Sequence, residues 1–158
     1  MINIAAIVKD LGPSQQSFYL IKKFNELSRD PNFSCSAFVA NLGVPVTKPL
    51  FSCSSVSFFS DYIGMAIATN LEEADILLKS NNNCKKYLYL WDLEWLVRPM
   101  NFTQVCNILR DNRLKIIARS KSHADIINNF CNKEVIGIVE DWNNEQLLEI
   151  MEKEKCLT

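Results

Sequence analysis

Glycine is scarce in this sequence, with four residues among 158, and histidine is scarcer, with one. The first shortage removes the glycine-rich phosphate loops. The turn Lys9-Asp10-Leu11-Gly12-Pro13-Ser14 has one glycine where a dinucleotide fingerprint has three, and Pro13 has no amide hydrogen to offer a pyrophosphate. No glycine directly precedes a Lys-Ser or Lys-Thr pair, so there is no P-loop. Nicotinamide and flavin dinucleotides are thereby set aside, and no cofactor is expected. A phosphoacceptor domain would end its third strand in aspartate, and Thr69-Asn70 stand there instead. The single histidine, His123, is tied to no recognised nucleophile motif, which argues against a catalytic triad.

Other absences narrow the class further. No apolar stretch has the length needed to cross a bilayer, and no N-terminal segment combines basic residues, a long apolar run and a small-residue cleavage site. The expectation is a cytoplasmic chain with no membrane association. The six cysteines, at 35, 53, 84, 106, 131 and 156, include no pair at the spacing of zinc ligands or redox dithiols. They read as small hydrophobes buried in a reducing compartment. A formal charge of -1 gives no global attraction to nucleic acid. The basic run Arg110, Arg113, Lys115, Arg119, Lys121 is interrupted by Asp111 and reads as a solvated rim, so nucleic acid is not the favoured partner.

What remains is a regular alternation of short apolar strands and amphipathic helices in an ordinary globular composition, 48% apolar and 22% charged. Ile2 to Val8 is a continuous, β-branched-rich run and reads as a strand buried on both faces. Pro13 is suited to the first position of a helix running to about Arg29, with Leu20, Phe24 and Leu27 on its core side. Strands are expected at Ser34 to Ala40, Met65 to Thr69, Tyr87 to Trp91, Leu114 to Ala118 and Val135 to Val139. Asn41 to about Cys53 has no period and reads as a long loop, and Ser54 to Tyr62 reads as a helix. Further helices are expected after Asn70, from Asn101 with Phe102, Val105 and Leu109 buried, near Ser120 or Ser122, and near Asn143. The fold class is α/β: a single doubly wound, mainly parallel, six-stranded Rossmann-like domain over 1–158 with helices on both faces. The favoured strand order is 3-2-1-4-5-6, which sets the ends of the first and fourth strands side by side.

Strand exits are where such sheets bind ligands. Asp10 and Gly12 should then face Trp91, Asp92 and Glu94 across one crevice. Indole faces stack on sugars or bases and carboxylates accept hydroxyl hydrogen bonds, so Trp91-Asp92-Leu93-Glu94-Trp95 is the leading candidate. It stands beside a plainer reading, in which Trp91 and Trp95 cover the core edge and the acids are solvated. Asp92 and Glu94 have no third ligand in sequence, and no metal is expected. Arg119, Ser120 and Lys121, ahead of Ser122 and His123, form the only phosphate candidate, at a helix start that an S-x-x-D cap also explains. Glu140-Asp141-Trp142 ends the last strand, where Asp141 or Asn143 can cap the next helix.

The opening Ile2-Asn3-Ile4-Ala5-Ala6-Ile7-Val8 with its Asp10-Leu11-Gly12-Pro13-Ser14 turn resembles the N-terminal half of two-domain, GT-B type glycosyltransferases. So do the Thr69-Asn70 exit, the Tyr87-Leu88-Tyr89-Leu90-Trp91-Asp92 strand and Ile116-Ile117-Ala118-Arg119-Ser120. The chain is also similar to short proteins of large tailed phages and to the first domain of phage DNA glucosyltransferases, which would place it in a host cytoplasm. The resemblance implies a half that carries acceptor-binding loops, while the donor site lies in a second half that residues 1–158 do not contain. The expectation is a domain binding a sugar, nucleotide or nucleic-acid acceptor, with catalysis in doubt for the isolated chain. Two alternatives stand: a protein-interaction module with an apolar patch from Phe51, Phe58, Phe59 and Tyr62, or a small transferase completed by a homodimer or partner chain.

Overall fold

The computed structural model describes the chain apart from Leu42, Arg98 and residues 157–158, and only the backbone at 154–156. Seven parallel strands form one sheet: β1 (Ile2–Val8), β2 (Phe33–Val39), β3 (Ser52–Ser55), β4 (Met65–Ala68), β5 (Lys85–Leu90), β6 (Leu114–Ala118) and β7 (Val135–Ile138). Their order is β3-β2-β1-β4-β5-β6-β7. Helices α1 (Gln15–Leu27) and α6 (Asn144–Cys156) pack on one face. Helices α2 (Leu71–Lys79), α4 (Phe102–Arg110) and α5 (Lys121–Cys131) pack on the other, and the four-residue α3 (Glu94–Val97) follows β5. The expected doubly wound α/β class holds, with seven strands in place of six.

The extra strand corrects the expected order. Ser52–Ser55 lies within stretches read as loop and helix, and it pairs with β2 from Ser36↔Ser52 to Val39↔Ser55. Its side chains are half-buried or exposed, which suits an edge. Met65–Ala68 is buried at every position, so it belongs inside the sheet, and it pairs directly with β1 from Ile4↔Met65 to Ile7↔Ala68. One strand therefore separates β1 from Tyr87–Leu90, and those two strand ends are not adjacent. The rest of the expected helix is a 3-10 turn over Val56–Asp61.

Caps fix where the helices begin, and most lie at the strand exits. Ser14 Oγ accepts from Ser17 N at 3.0 Å, so α1 starts two residues later than expected and Pro13 precedes the cap. Asn70, Asn101 and Ser120 cap α2, α4 and α5 in the same way, and Asn143 Oδ1 accepts from Gln146 N at the start of α6. Ser120, not Ser122, is the cap of α5. The loop between β2 and β3 is held by Asn25, which donates to Lys48 O at 2.9 Å and accepts from Leu50 N at 2.6 Å. Phe102 is exposed on α4 and meets Phe130 edge-on, contrary to its expected place in the core. Of the cysteines, Cys35, Cys106 and Cys131 are buried, while Cys53 is exposed on edge strand β3. No described helix is long and apolar enough to cross a membrane.

Candidate functional site

Neighbouring strands β1 and β4 send their chains to opposite faces, α1 to one and α2 to the other, which opens a crevice between the helix starts. It has a volume of about 290 Å³ and is lined by residues from three strand exits: Lys9 and Asp10 after β1, Thr69, Asn70 and Glu72 after β4, and Trp91, Asp92 and Glu94 after β5. Val8, Ser14, Gln16, Ser17 and Leu20 around the α1 start and Val97 of α3 complete the described lining. Asp10 thus does share a hollow with Trp91, Asp92 and Glu94, bridged by β4. The volume is at the lower bound of small-molecule sites and suits a monosaccharide-sized group.

Several lining groups are committed to the frame. One carboxylate oxygen of Asp10 accepts from Gly12 N at 2.8 Å and closes the first turn. Gly12 does not line the crevice. A methyl group there would sit 2.9 Å from Asp10 Oδ1, so its glycine permits that closure. Gln16 donates to Thr69 O at 3.4 Å, and Thr69 Oγ1 donates to Ile7 O at 3.3 Å, which lace α1, β4 and β1 together beneath the opening.

Trp91 is a wall of the crevice and not an open platform, and Trp95 lies outside the described lining. Trp91 is 4% exposed, packed against Tyr19 and Tyr89, with the Arg119 guanidinium 3.8 Å from its ring centre. Trp95 stacks on Phe130 at 4.9 Å. Arg119 also donates to Asp141 Oδ1 at 3.0 Å. With Ser120, His123, Glu140 and Asp141 it lines a second hollow of about 350 Å³. The Arg119–Trp91 pair therefore stands between the two hollows. Lys121 lines neither, and the proposed phosphate residues lie outside the crevice.

Charge is the crevice's chief property. Asp10, Glu72, Asp92 and Glu94 are its acids, and Lys9 is the one cation among the described lining residues. Beside them Glu73 is buried, with no partner at Oε2. Burial pushes its carboxyl up to about 7, Glu72 and Glu94 add to the rise, and its own backbone amide and Lys9 oppose it. No three His, Cys, Asp or Glu groups among the described residues converge as metal ligands. The sequence pointed to Asp92 and Glu94 because they follow an apolar strand. It gave no sign of Glu72 and Glu73, which look like the ordinary acidic first turn of a helix.

In comparisons with known proteins, no family model, no curated protein and no solved structure matches this chain.

Proposed function

We propose that the crevice at the ends of β1, β4 and β5 binds a monosaccharide-sized carbohydrate, and that the chain works as a glycosyltransferase-like acceptor-binding domain. The observation that carries this is the acid excess around a 290 Å³ hollow: four carboxylates against Lys9 among the described residues. Carboxylates are acceptor-only groups that match the paired hydroxyls of a sugar ring. The same charge repels phosphate, so a nucleotide is the disfavoured ligand. With Trp91 covered and Trp95 outside the crevice lining, recognition falls to the acids, not to stacking. The resemblance to the acceptor half of two-domain glycosyltransferases supports binding without turnover by the isolated chain.

The test is a thermal-shift and calorimetric panel of simple glycosides, oligosaccharides, nucleotides and nucleotide sugars on the wild-type chain and on an Asp92→Asn, Glu94→Gln double variant. Glycosides should stabilise the wild type and lose about tenfold or more in affinity in the variant, with nucleotides silent. Nucleotide binding with no response to glycosides overturns the reading.

A second reading, association with another copy of the chain, has its own observation. The expected patch does not form, because Phe59 is buried and Tyr62 half-buried, leaving Phe58 as its one largely exposed member. Leu96, Val97 and Phe102, beside the crevice, are instead 63%, 74% and 65% exposed. Native mass spectrometry decides it: a dimer that dissociates in Leu96→Glu favours self-association, and a monomer at tens of micromolar removes it.

A further inference from the structure

The opposite end of the sheet, where β5 and β6 begin, carries a third hollow of about 480 Å³. Its cations are Lys85, Lys86, Arg113 and Lys115, and no aspartate or glutamate stands among its described lining residues. In a chain of formal charge -1, this is a local concentration of one sign. Tyr87 of β5 lies opposite Lys115 of β6, so Lys85 and Lys115 stand on one face of the sheet as diagonal neighbours on adjacent strands. Like charges so placed repel. Burial lowers the Lys115 pKa, and the charge of Lys85 adds to the fall.

Part of this charge is already matched. Arg113 meets the Asp111 carboxylate at 2.7 Å, and Lys133 adds a cation beside the same loop by donating to Asp111 O at 2.6 Å. Lys86 is different. It is 8% exposed, and its ammonium donates to Leu77 O, Ser80 O and Ser80 Oγ, so a buried cation is met by neutral acceptors. Lys85 beside it is exposed at the mouth of the hollow. The excess charge therefore rests on one fixed, buried ammonium and one exposed ammonium.

We propose that this hollow docks an acidic polypeptide segment of another protein, held extended with carboxylates on alternate residues. Such carboxylates recur about every 7 Å along a strand, close to the roughly 7–8 Å between diagonal neighbours such as Lys85 and Lys115. The exposed amides of Asn81 and Asn112 both donate and accept, which suits the peptide groups between them. Phosphate fits less well. The fork of Arg113 is spent on Asp111 and on Leu78 O, and the hollow lies at the C-terminal ends of α2 and α4, where helix carbonyls and not amides face outward. A nucleic-acid strand would also want aromatic faces for its bases, and the described lining has none.

Fluorescence anisotropy on the full chain tests this with a short labelled peptide alternating glutamate and threonine, its glutamine–threonine counterpart and a short oligothymidylate. The acidic peptide should bind with a Kd below about 1 mM and weaken about tenfold between roughly 50 and 300 mM salt, with the other two probes silent. Lys85→Glu should weaken it at least about fivefold, whereas Lys48→Glu, the same charge change on an exposed lysine between β2 and β3, should alter it less than about twofold. Equal binding of the glutamine peptide, binding of the oligothymidylate with the acidic peptide silent, equal losses in the two variants, or no binding of any probe overturns the proposal. The comparison of probes on the wild type stands alone if a variant does not fold. The carbohydrate reading is untouched by each of these outcomes, since the two hollows lie at opposite ends of the strands.

Discussion

The guanidinium of Arg119 lies 3.8 Å from the centre of the Trp91 ring and is anchored from its other side by Asp141 at 3.0 Å. This contact turns a residue that the sequence offers as a stacking surface into a partition between two hollows. Asp141 pays a conformational cost for its part, since it and Trp142 both adopt left-handed backbone, with φ of 46° and 60°.

Arg119→Met should destabilise the chain by about 1–2 kcal/mol, through lost stacking and an uncovered Trp91, with a red shift in tryptophan emission. Asp141→Asn keeps a side chain tolerant of left-handed backbone and removes only a partly exposed ion pair, so its effect should stay below about 1 kcal/mol. Urea melts followed by fluorescence check both, and equal losses would show that the ion pair, not the stacking, dominates.

Glu73 makes stability depend on pH with a definite sign. Folded, it holds its proton up to about 7, whereas unfolded it releases it near 4.5. The folded state thus binds the extra proton between those values, and its contribution is fully present below 4.5, fades as pH rises toward 7 and is level above. The span is on the order of 3 kcal/mol. Melts from pH 5 to 8 should show the decline in the wild type, a flatter profile in Glu73→Gln, and a variant more stable than the wild type at pH 8.

Lys86 holds the far end of the same helix. It is 8% exposed, and its ammonium donates to Leu77 O and Ser80 O at 2.7 Å each and to Ser80 Oγ at 3.2 Å, so a buried cation completes the C-terminus of α2. Lys86→Met keeps the apolar stem and orphans those acceptors, with an expected loss of about 2–4 kcal/mol in denaturant melts.

Gly137 lets α6 approach β7. A methyl group there would collide with Ile150, lying 2.6 Å from its Cγ1. Gly137→Ala should destabilise by about 1–3 kcal/mol, and adding Ile150→Ala should recover part of it. A double-mutant cycle measures the coupling, and simple additivity would rule out the clash as the cause.

Most of the frame could be read from the sequence, since its dominant signals are local. Ile2–Val8 is an unbroken apolar run, and the caps Asn70, Asn101 and Ser120 are polar residues directly ahead of apolar periods. Strand β3 could not be read: Ser-Cys-Ser-Ser has no apolar pattern, and its pairing rests on backbone bonds to β2. Missing it displaced Met65–Ala68 from the centre to the edge. At the site, the acids after β1 and β5 were legible as strand exits. The cover over Trp91 was not, since Arg119 arrives from β6, 28 residues away in sequence.

Central strand β1 pairs with residues far ahead of it in the chain, Ile2 with Phe33 and Ile4 with Met65. At roughly 5–20 residues per second of synthesis, the 61 positions between Ile4 and Met65 take about 3–12 s to appear. For that interval β1 has at most one neighbour, and an apolar strand with a bare edge is a target for chaperones and for other nascent chains. The described residues that line the crevice have all been synthesised once residue 97 has joined, before helices α4 to α6 have emerged.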